Sequence, residues 1–343
     1  MADQTPVFDG HNDALTSDDH AGLASGRPDG HIDLPRMRTG GMRGGIFAIY
    51  TPSINDPRIP VDRDDGVLEL PLPDEVGYPY AAALAGAAAG RLFALERAGL
   101  MRVARSIADV DQAALDDDLP VAVLHLEGAE PIDTDLEALE TWYAAGLRSL
   151  GPVWSRPNRF GPGVPFIFPS SPDTGPGLTE AGVALVARCA ELGIAVDLSH
   201  LNEAGFWDVA RADLGPLTVS HTGAHALSPC SRNLTDAQLD AVGSSDGLVG
   251  IVFATKFLRS DFADDPATSH ELIAEHARYV ADRIGVKHVA LGSDFDGATV
   301  PASLDGAAGL PLVLDALRAV GFTEAEVRLI AWDNWRRVLN AWW

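Results

Sequence analysis

Eight apolar runs of strand length recur along this 343-residue chain. They are Val7-Phe8-Asp9, Gly45–Tyr50, Val121–Glu127, Leu147–Val153, Ile194–His200, Leu217–His221, Leu248–Phe253 and His288–Asp294. Their apolar residues are continuous rather than alternating, so each strand is expected to be buried on both faces, as in a parallel sheet covered by helices. Segments of helical periodicity lie between them, at Glu137–Ala145, Thr179–Leu192, Thr235–Val242 and His270–Ile284. A last one opens on the capping-box pattern Thr323-Glu324-Ala325-Glu326 and runs to Trp343. The Ala-rich stretch Ala81–Leu100 is broken by Gly86, Gly90, Arg91, Glu96 and Arg97 and reads as one or two soluble helices. Eight strands alternating with helices predict an α/β fold of the (β/α)8 TIM-barrel type. A doubly wound sheet would favour a glycine-rich phosphate turn after its first strand, and Gly10-His11-Asn12-Asp13 is not one.

Two stretches break the rhythm, 51–75 with its Pro and Asp and 156–177 with its Pro, Gly and Ser. Barrel pattern resumes after each, so both are expected to be long rim loops, and residues 1–343 to form a single barrel domain. Asp3 and Gln4 stand where the apolar core of a signal peptide would begin, and no run approaches the ~18 apolar residues of a membrane helix. Two cysteines, Cys189 and Cys230, exclude a disulfide framework and fit a reducing, cytoplasmic setting. The net charge of -24 argues against nucleic acid as a partner, because a phosphate backbone would be repelled.

In a barrel of this kind the chemistry sits at the C-terminal ends of the strands. Read in order, those ends offer His11 and Asp13, Glu127, Trp154, His200, His221 and Asp294. His11-x-Asp13 alone would be a polar loop. In an extended strand, though, residues i and i+2 face the same side and can aim at one point. His200 and His221 each close a strand in a Ser-His pair, which strengthens the pattern. Three imidazoles and three carboxylates with no thiolate suit zinc, with manganese, cobalt or iron as alternatives. Glu127 has two oxygens and could bridge two metals, which would activate a water, and Asp294 could take that water's proton and deliver it to a leaving amine. Glu130 is read as lying past the strand, Asp296 as bracing its turn, and His125 as supporting Glu127 from the same strand face. His20, His31, His225, His270, His276 and His288 are read as structural or exposed.

The motifs Asp9-Gly10-His11-Asn12-Asp13, Ile32-Asp33-Leu34-Pro35, Leu126-Glu127-Gly128, Asp197-Leu198-Ser199-His200, Ser220-His221-Thr222, Arg232-Asn233, Gly292-Ser293-Asp294-Phe295-Asp296-Gly297 and Asp333-Asn334-Trp335 occur in order over nearly the whole chain. This set resembles the membrane (renal) dipeptidase family, within the amidohydrolase-like superfamily. The resemblance implies a binuclear zinc dipeptidase acting on small dipeptides, L-Xaa-L-Xaa and also L-Xaa-D-Xaa. It implies one Zn2+ on His11, Asp13 and Glu127, and a second on Glu127, His200 and His221. A water or hydroxide would complete the bridge. Asp294 corresponds to the family's proton-transfer residue and a contact for the substrate amine, and Arg232 to its anchor for the C-terminal carboxylate. At Trp154 the chain departs from members that place a His near the scissile carbonyl. The indole N–H could contact substrate instead, with Asn158 or Arg159 as substitutes. The mammalian members are secreted, disulfide-bonded and lipid-anchored. This chain shows none of those signals and looks like a bacterial cytoplasmic relative with no membrane partner. A homodimer is expected from the family alone. The competing reading keeps barrel and metals but hydrolyses a cyclic amide, a lactone or another non-peptide substrate.

Overall fold

The computed structural model describes residues 4–54, 60–62, 66–116 and 118–343. Eight strands form the barrel: β1 (Val7–Asn12), β2 (Met42–Tyr50), β3 (Val121–Glu127), β4 (Leu147–Gly151), β5 (Ala195–Val196), β6 (Thr218–Thr222), β7 (Leu248–Ile251) and β8 (Val289–Leu291). Each falls within or overlaps one of the eight apolar runs. β1 to β5 pair in parallel in that order, as do β6 to β8. Two parallel bridges join these sheets, Asp197 to Thr218 and Asn12 to Phe295, which closes the ring. The strands beneath the mouth are mostly buried, with every residue of β1 and β3 shielded from solvent and only Arg43 and Tyr50 of β2 and Arg148 of β4 half-buried.

Helices cover the outside, as their apolar spacing requires. Glu271–Ile284 buries Ile273, Ala277, Val280 and Ala281 on one stripe. Glu180–Leu192 starts where the Thr179 hydroxyl accepts the Gly182 N–H. Ala81–Leu100 resolves into a single helix, Tyr78–Arg97. Helices at Ile107–Ala113, Glu203–Ala212 and Leu310–Ala319 complete the covering.

The predicted C-terminal helix is not continuous. Its capping box forms, with Thr323 and Glu326 exchanging bonds, but the helix is interrupted by a π turn at Leu329–Asp333 before resuming over Asn334–Trp342. That turn places Trp332 and Trp335 together on the barrel floor, 5.6 and 5.9 Å from the Phe8 ring. Trp335 also donates its indole N–H to the Leu291 carbonyl at 2.9 Å. A Cβ at position 10 would strike the Trp335 ring, which is why glycine stands there, one residue before His11. The terminal Trp342 packs against the core and Trp343 donates to the Arg148 carbonyl.

The two expected loops are more ordered than their composition suggests. Leu68–Leu70 pairs antiparallel with Phe166–Phe168 on one side and with Val61–Asp62 on the other. The result is a small three-stranded cap over one side of the barrel mouth. Residues 55–59 and 63–65 of the first stretch lie outside the described residues.

His276 is fully enclosed between this covering and the barrel. Its Nδ1 accepts the Ala224 N–H at 3.0 Å, so its Nε2–H must donate to the Leu258 carbonyl, also at 3.0 Å. The ring is therefore held neutral, and burial pushes its pKa from 6.5 down to about 4. Below pH 6.5 the unfolded ring binds a proton that the folded ring refuses until about pH 4. Stability from this residue is thus complete above pH 6.5 and lost as pH falls through that window, by roughly 3 kcal/mol in all. His276→Gln should flatten this part of the pH–stability curve in denaturant titrations between pH 4 and 7.

Candidate metal centre

At the end of β1, His11 and Asp13 face one side while Asn12 turns the other way, donating to Asp9 at 3.2 Å and to the Ile46 carbonyl at 3.3 Å. His11 Nε2 lies 3.6 Å from Asp13 Oδ2 and 3.4 Å from Glu127 Oε1. The same oxygen of Glu127 is 2.9 Å from His200 Nε2 and 3.6 Å from His221 Nε2. Glu127 therefore belongs to two donor sets at once, one with His11 and Asp13 and one with His200 and His221. Asp294 joins His11 and His221 in a third. All six predicted side chains are buried.

Their electrostatics follow from that crowding. Burial raises Asp294 to about 7, with Asp13 adding to the effect and His11 opposing it. Burial also lifts Glu127 well above the usual carboxylate range, again against His11. Burial would lower His11, but Glu127, Asp13 and Asp294 overcome it and bring the ring up to about 10. His221 is pushed well below its ordinary value by burial, then by His11 and Arg232. Several buried carboxylates so close together need positive charge, and divalent cations would supply it.

Three further observations fit these residues to metal. Among the described residues, neither ring nitrogen of His11 nor Asp13 Oδ1 has a hydrogen-bond partner, an uncommon state for buried polar atoms. The donors are imidazole and carboxylate with no thiolate. Two of the rings are also oriented from behind. Ser220 Oγ donates to Asp197 Oδ2 at 2.5 Å, so His221 Nδ1–H donates to Ser220 Oγ at 2.8 Å and Nε2 keeps its lone pair for the centre. His200 Nδ1 likewise lies 2.8 Å from a serine hydroxyl, Ser155 Oγ, which fixes the plane of the ring.

Sequence reasoning picked out the two Ser-His pairs but not the task of their neighbours. Asp197 accepts from the Ser199 hydroxyl and from both the N–H and the hydroxyl of Ser220, binding β5 to β6 beneath the two rings. Its signal was present: an acid three residues before His200 and on the same strand face as Ser199. His125 touches Ser149 and approaches Asp197 to 3.8 Å. The Asp296 carboxylate is taken up by Arg27 Nη1 at 2.5 Å and by the His31 N–H at 2.7 Å. Asp294 and Asp296 both adopt left-handed backbone, φ 60° and 68°, in a turn directly beside the cluster.

Arg232 is buried beside the second set. Its Nη2 donates to the His221 carbonyl at 2.9 Å, and its Nε and Nη1 have no partner among the described residues. It lies behind the wall of the mouth rather than on it, against His200 and Phe257, which do line it. That mouth is a cavity of about 1160 Å³ reaching Asp13, Glu127, His200, Asp294 and Trp154. Asn158, named above as a substitute for the family His, is spent in its own turn, donating to the Pro152 carbonyl and accepting the Phe160 N–H.

The family model described as membrane dipeptidase, peptidase family M19, matches residues 1–342. The chain belongs to this family. As a member it is a hydrolase of the metallo-dipeptidase class. Dipeptidase AC, a metallopeptidase of family M19, is 47% identical with a TM-score of 0.91, and 99% of each chain is covered. A metallopeptidase from Rhodobacter sphaeroides, solved with a phosphinate mimic of the dipeptide L-Ala-D-Ala, is 46% identical with a TM-score of 0.93 over 99% of this chain and 100% of that one. Dipeptidase aclJ of Aspergillus oryzae is 27% identical, covering 98% of this chain and 78% of its own. Among the described residues, no helix is long and apolar enough to cross a membrane.

Glu130 does not join the metal cluster. It forms a fully buried ion pair with Arg156, Oε1 to Nη2 at 2.8 Å, and Arg156 also donates to the Thr51 carbonyl and Ser53 Oγ. Removing one partner of such a pair strands the other charge. Glu130→Ala should lower the unfolding free energy by about 3–5 kcal/mol in denaturant titrations, and Glu130→Leu combined with Arg156→Met should recover most of it.

Proposed function

We propose that this chain hydrolyses the single peptide bond of small dipeptides at a pair of zinc ions, one held by His11, Asp13 and Glu127 and the other by Glu127, His200 and His221. The observation that carries this reading is the position of Glu127 Oε1, within 2.9 to 3.6 Å of Nε2 on three separate histidines. Bound there, the ions would polarise a carbonyl and lower the pKa of a water towards neutrality.

The protein's own groups do the rest. Asp294 stands beside both donor sets and can hold the proton released by the attacking water at a carboxylate oxygen. It then returns that proton to the departing amine nitrogen, so the leaving group exits neutral. Arg232, directly behind His200 and Phe257 at the wall, keeps its Nε and Nη1 N–H groups unpartnered among the described residues and would supply the positive charge that attracts the free carboxylate at the substrate's C-terminus. The Rhodobacter sphaeroides relative was solved with a mimic of L-Ala-D-Ala, which supports acceptance of L-Xaa-D-Xaa as well as L-Xaa-L-Xaa substrates. Trp154 contributes a ring 5.8 Å from that of His200, at the edge of the space where the scissile bond would lie.

Zinc-loaded protein should cleave a panel of L,L and L,D dipeptides, and metal analysis of active protein should give about two ions per chain. Chelation should abolish turnover, with recovery on adding zinc. Asp294→Asn should lower kcat by about 10²–10⁴ while metal content stays at two. Arg232→Met should raise KM for dipeptides, yet leave unaltered the poor cleavage of the same dipeptides amidated at their C-terminus. Turnover of cyclic amides or lactones with no detectable dipeptide cleavage would reject the proposal.

A further inference from the structure

An unbroken series of aromatic rings leads away from Arg232 along one side of the mouth. The Arg232 guanidinium lies 5.7 Å from the Phe257 ring, Phe257 is 5.2 Å from Phe166, Phe166 is 6.2 Å from Trp154, and Trp154 is 4.9 Å from Tyr50. All four rings line the cavity that also reaches Glu127 and His200. The loops that follow β1 and β8 add carboxylates to the same cavity, with Asp13, Asp18, Asp29 and Asp294. The mouth therefore carries a run of apolar rings whose Phe257 end backs onto the arginine, and carboxylates gathered near the β1 and β8 ends.

We propose that the wall of Tyr50, Trp154, Phe166 and Phe257 is the pocket for the side chain of the substrate's C-terminal residue, and that it makes the enzyme selective for dipeptides with a large apolar residue there. The proposal rests on the reading of Arg232 as the carboxylate anchor. A residue whose carboxylate is held at Arg232 has its Cα within reach of Phe257, the ring beside that arginine, and its side chain can extend along the rings that follow. The amino-terminal residue, on the other side of the scissile bond, then faces the carboxylates. Burying apolar side-chain area against these rings contributes binding, whereas the polar wall gives an apolar N-terminal side chain little to gain.

The wall is also held rigidly in relation to the anchor. Phe166 belongs to the cap strand, and the next residue, Ile167, exchanges two bonds with Ser231, the neighbour of Arg232. Ile167 N–H donates to Ser231 Oγ at 2.9 Å, and Ser231 N–H donates to the Ile167 carbonyl at 3.0 Å. From behind, the buried Arg156 guanidinium sits 5.6 Å from the Trp154 ring and 5.7 Å from Tyr50, fixed by Glu130, Thr51 and Ser53. A pre-positioned apolar surface discriminates by side-chain size without spending binding energy on ordering itself.

Two dipeptide series on the zinc-loaded enzyme test this, Ala-Xaa and Xaa-Ala, with Xaa running through Gly, Ala, Val, Leu and Phe in both L and D forms at the C-terminal position. The Ala-Xaa series should rise in kcat/KM by about tenfold or more from Gly to Leu or Phe, chiefly through KM, and the Xaa-Ala series should rise far less. Phe166→Ala should flatten the Ala-Xaa gradient about tenfold, and Phe166→Leu should restore part of it. A flat Ala-Xaa series, or a steeper Xaa-Ala series, overturns the pocket while leaving the dipeptidase reading intact, provided that Arg232→Met still raises KM. Cleavage that is indifferent to both Arg232 and the free carboxylate removes the anchor and the pocket with it. Absence of turnover on every dipeptide overturns the function and the pocket together.

Discussion

Everything at the mouth of this barrel depends on how its first and last strands are sewn together. Asp9 in β1 accepts the Ser293 N–H at 2.7 Å and the Ser293 hydroxyl at 3.0 Å, joining residues 284 positions apart in the chain. Two backbone bonds extend the seam, from Asp294 N–H to the His11 carbonyl and from Asp13 N–H to the Phe295 carbonyl. This closure sets His11 and Asp13 against Asp294. Asp9 is itself buried, which raises its pKa to about 6 despite the bonds it accepts, so the seam is a polar joint in an apolar wall. Below it, the Trp335 ring over Gly10 leaves no space for the strand to slip inward.

A second level of organisation handles the cost of burying so much charge. The clustered side chains would be untenable as an isolated group of carboxylates, and two of the imidazoles are held from behind by neighbours with hydrogen-bonding roles. Asp197 works through Ser220 on His221. Ser155 works on His200, and Arg27 with His31 draws Asp296 away from the centre. The Glu130–Arg156 pair follows the same rule at greater distance, trading an expensive buried ion pair for a fixed aromatic wall. In each case an ionic or polar group near the mouth is satisfied by fixed partners, so that geometry rather than flexibility decides which atoms face the cavity.

The strand ends were legible because barrel strands are short, apolar and followed at once by the polar residues that converge in the buried cluster. His200 illustrates the margin: its strand shrinks to Ala195–Val196, yet the ring still arrives at the centre because Asp197 continues the ladder through its bridge to Thr218. The cap sheet was illegible for the opposite reason. Three residues at Phe166–Phe168 and three at Leu68–Leu70 give no periodicity, and only their mutual pairing across about a hundred residues turns them into structure. The π turn at Leu329–Asp333 was equally hidden, since its composition suits an α-helix and nothing in its spacing marks the extra residue in the turn.

By itself the sequence determined the barrel, through eight apolar runs, and the imidazoles and carboxylates that gather at its mouth, through polar residues placed at their ends. Those are local properties, set by side-chain period and by the chemistry of imidazole and carboxylate. Tertiary structure alone decided which oxygen of Glu127 meets three histidines, which serines and acids orient those rings, and which aromatics share a wall with Arg232. Each of these depends on contacts between residues distant in the chain, and no spacing along one strand encodes the distance between two strands.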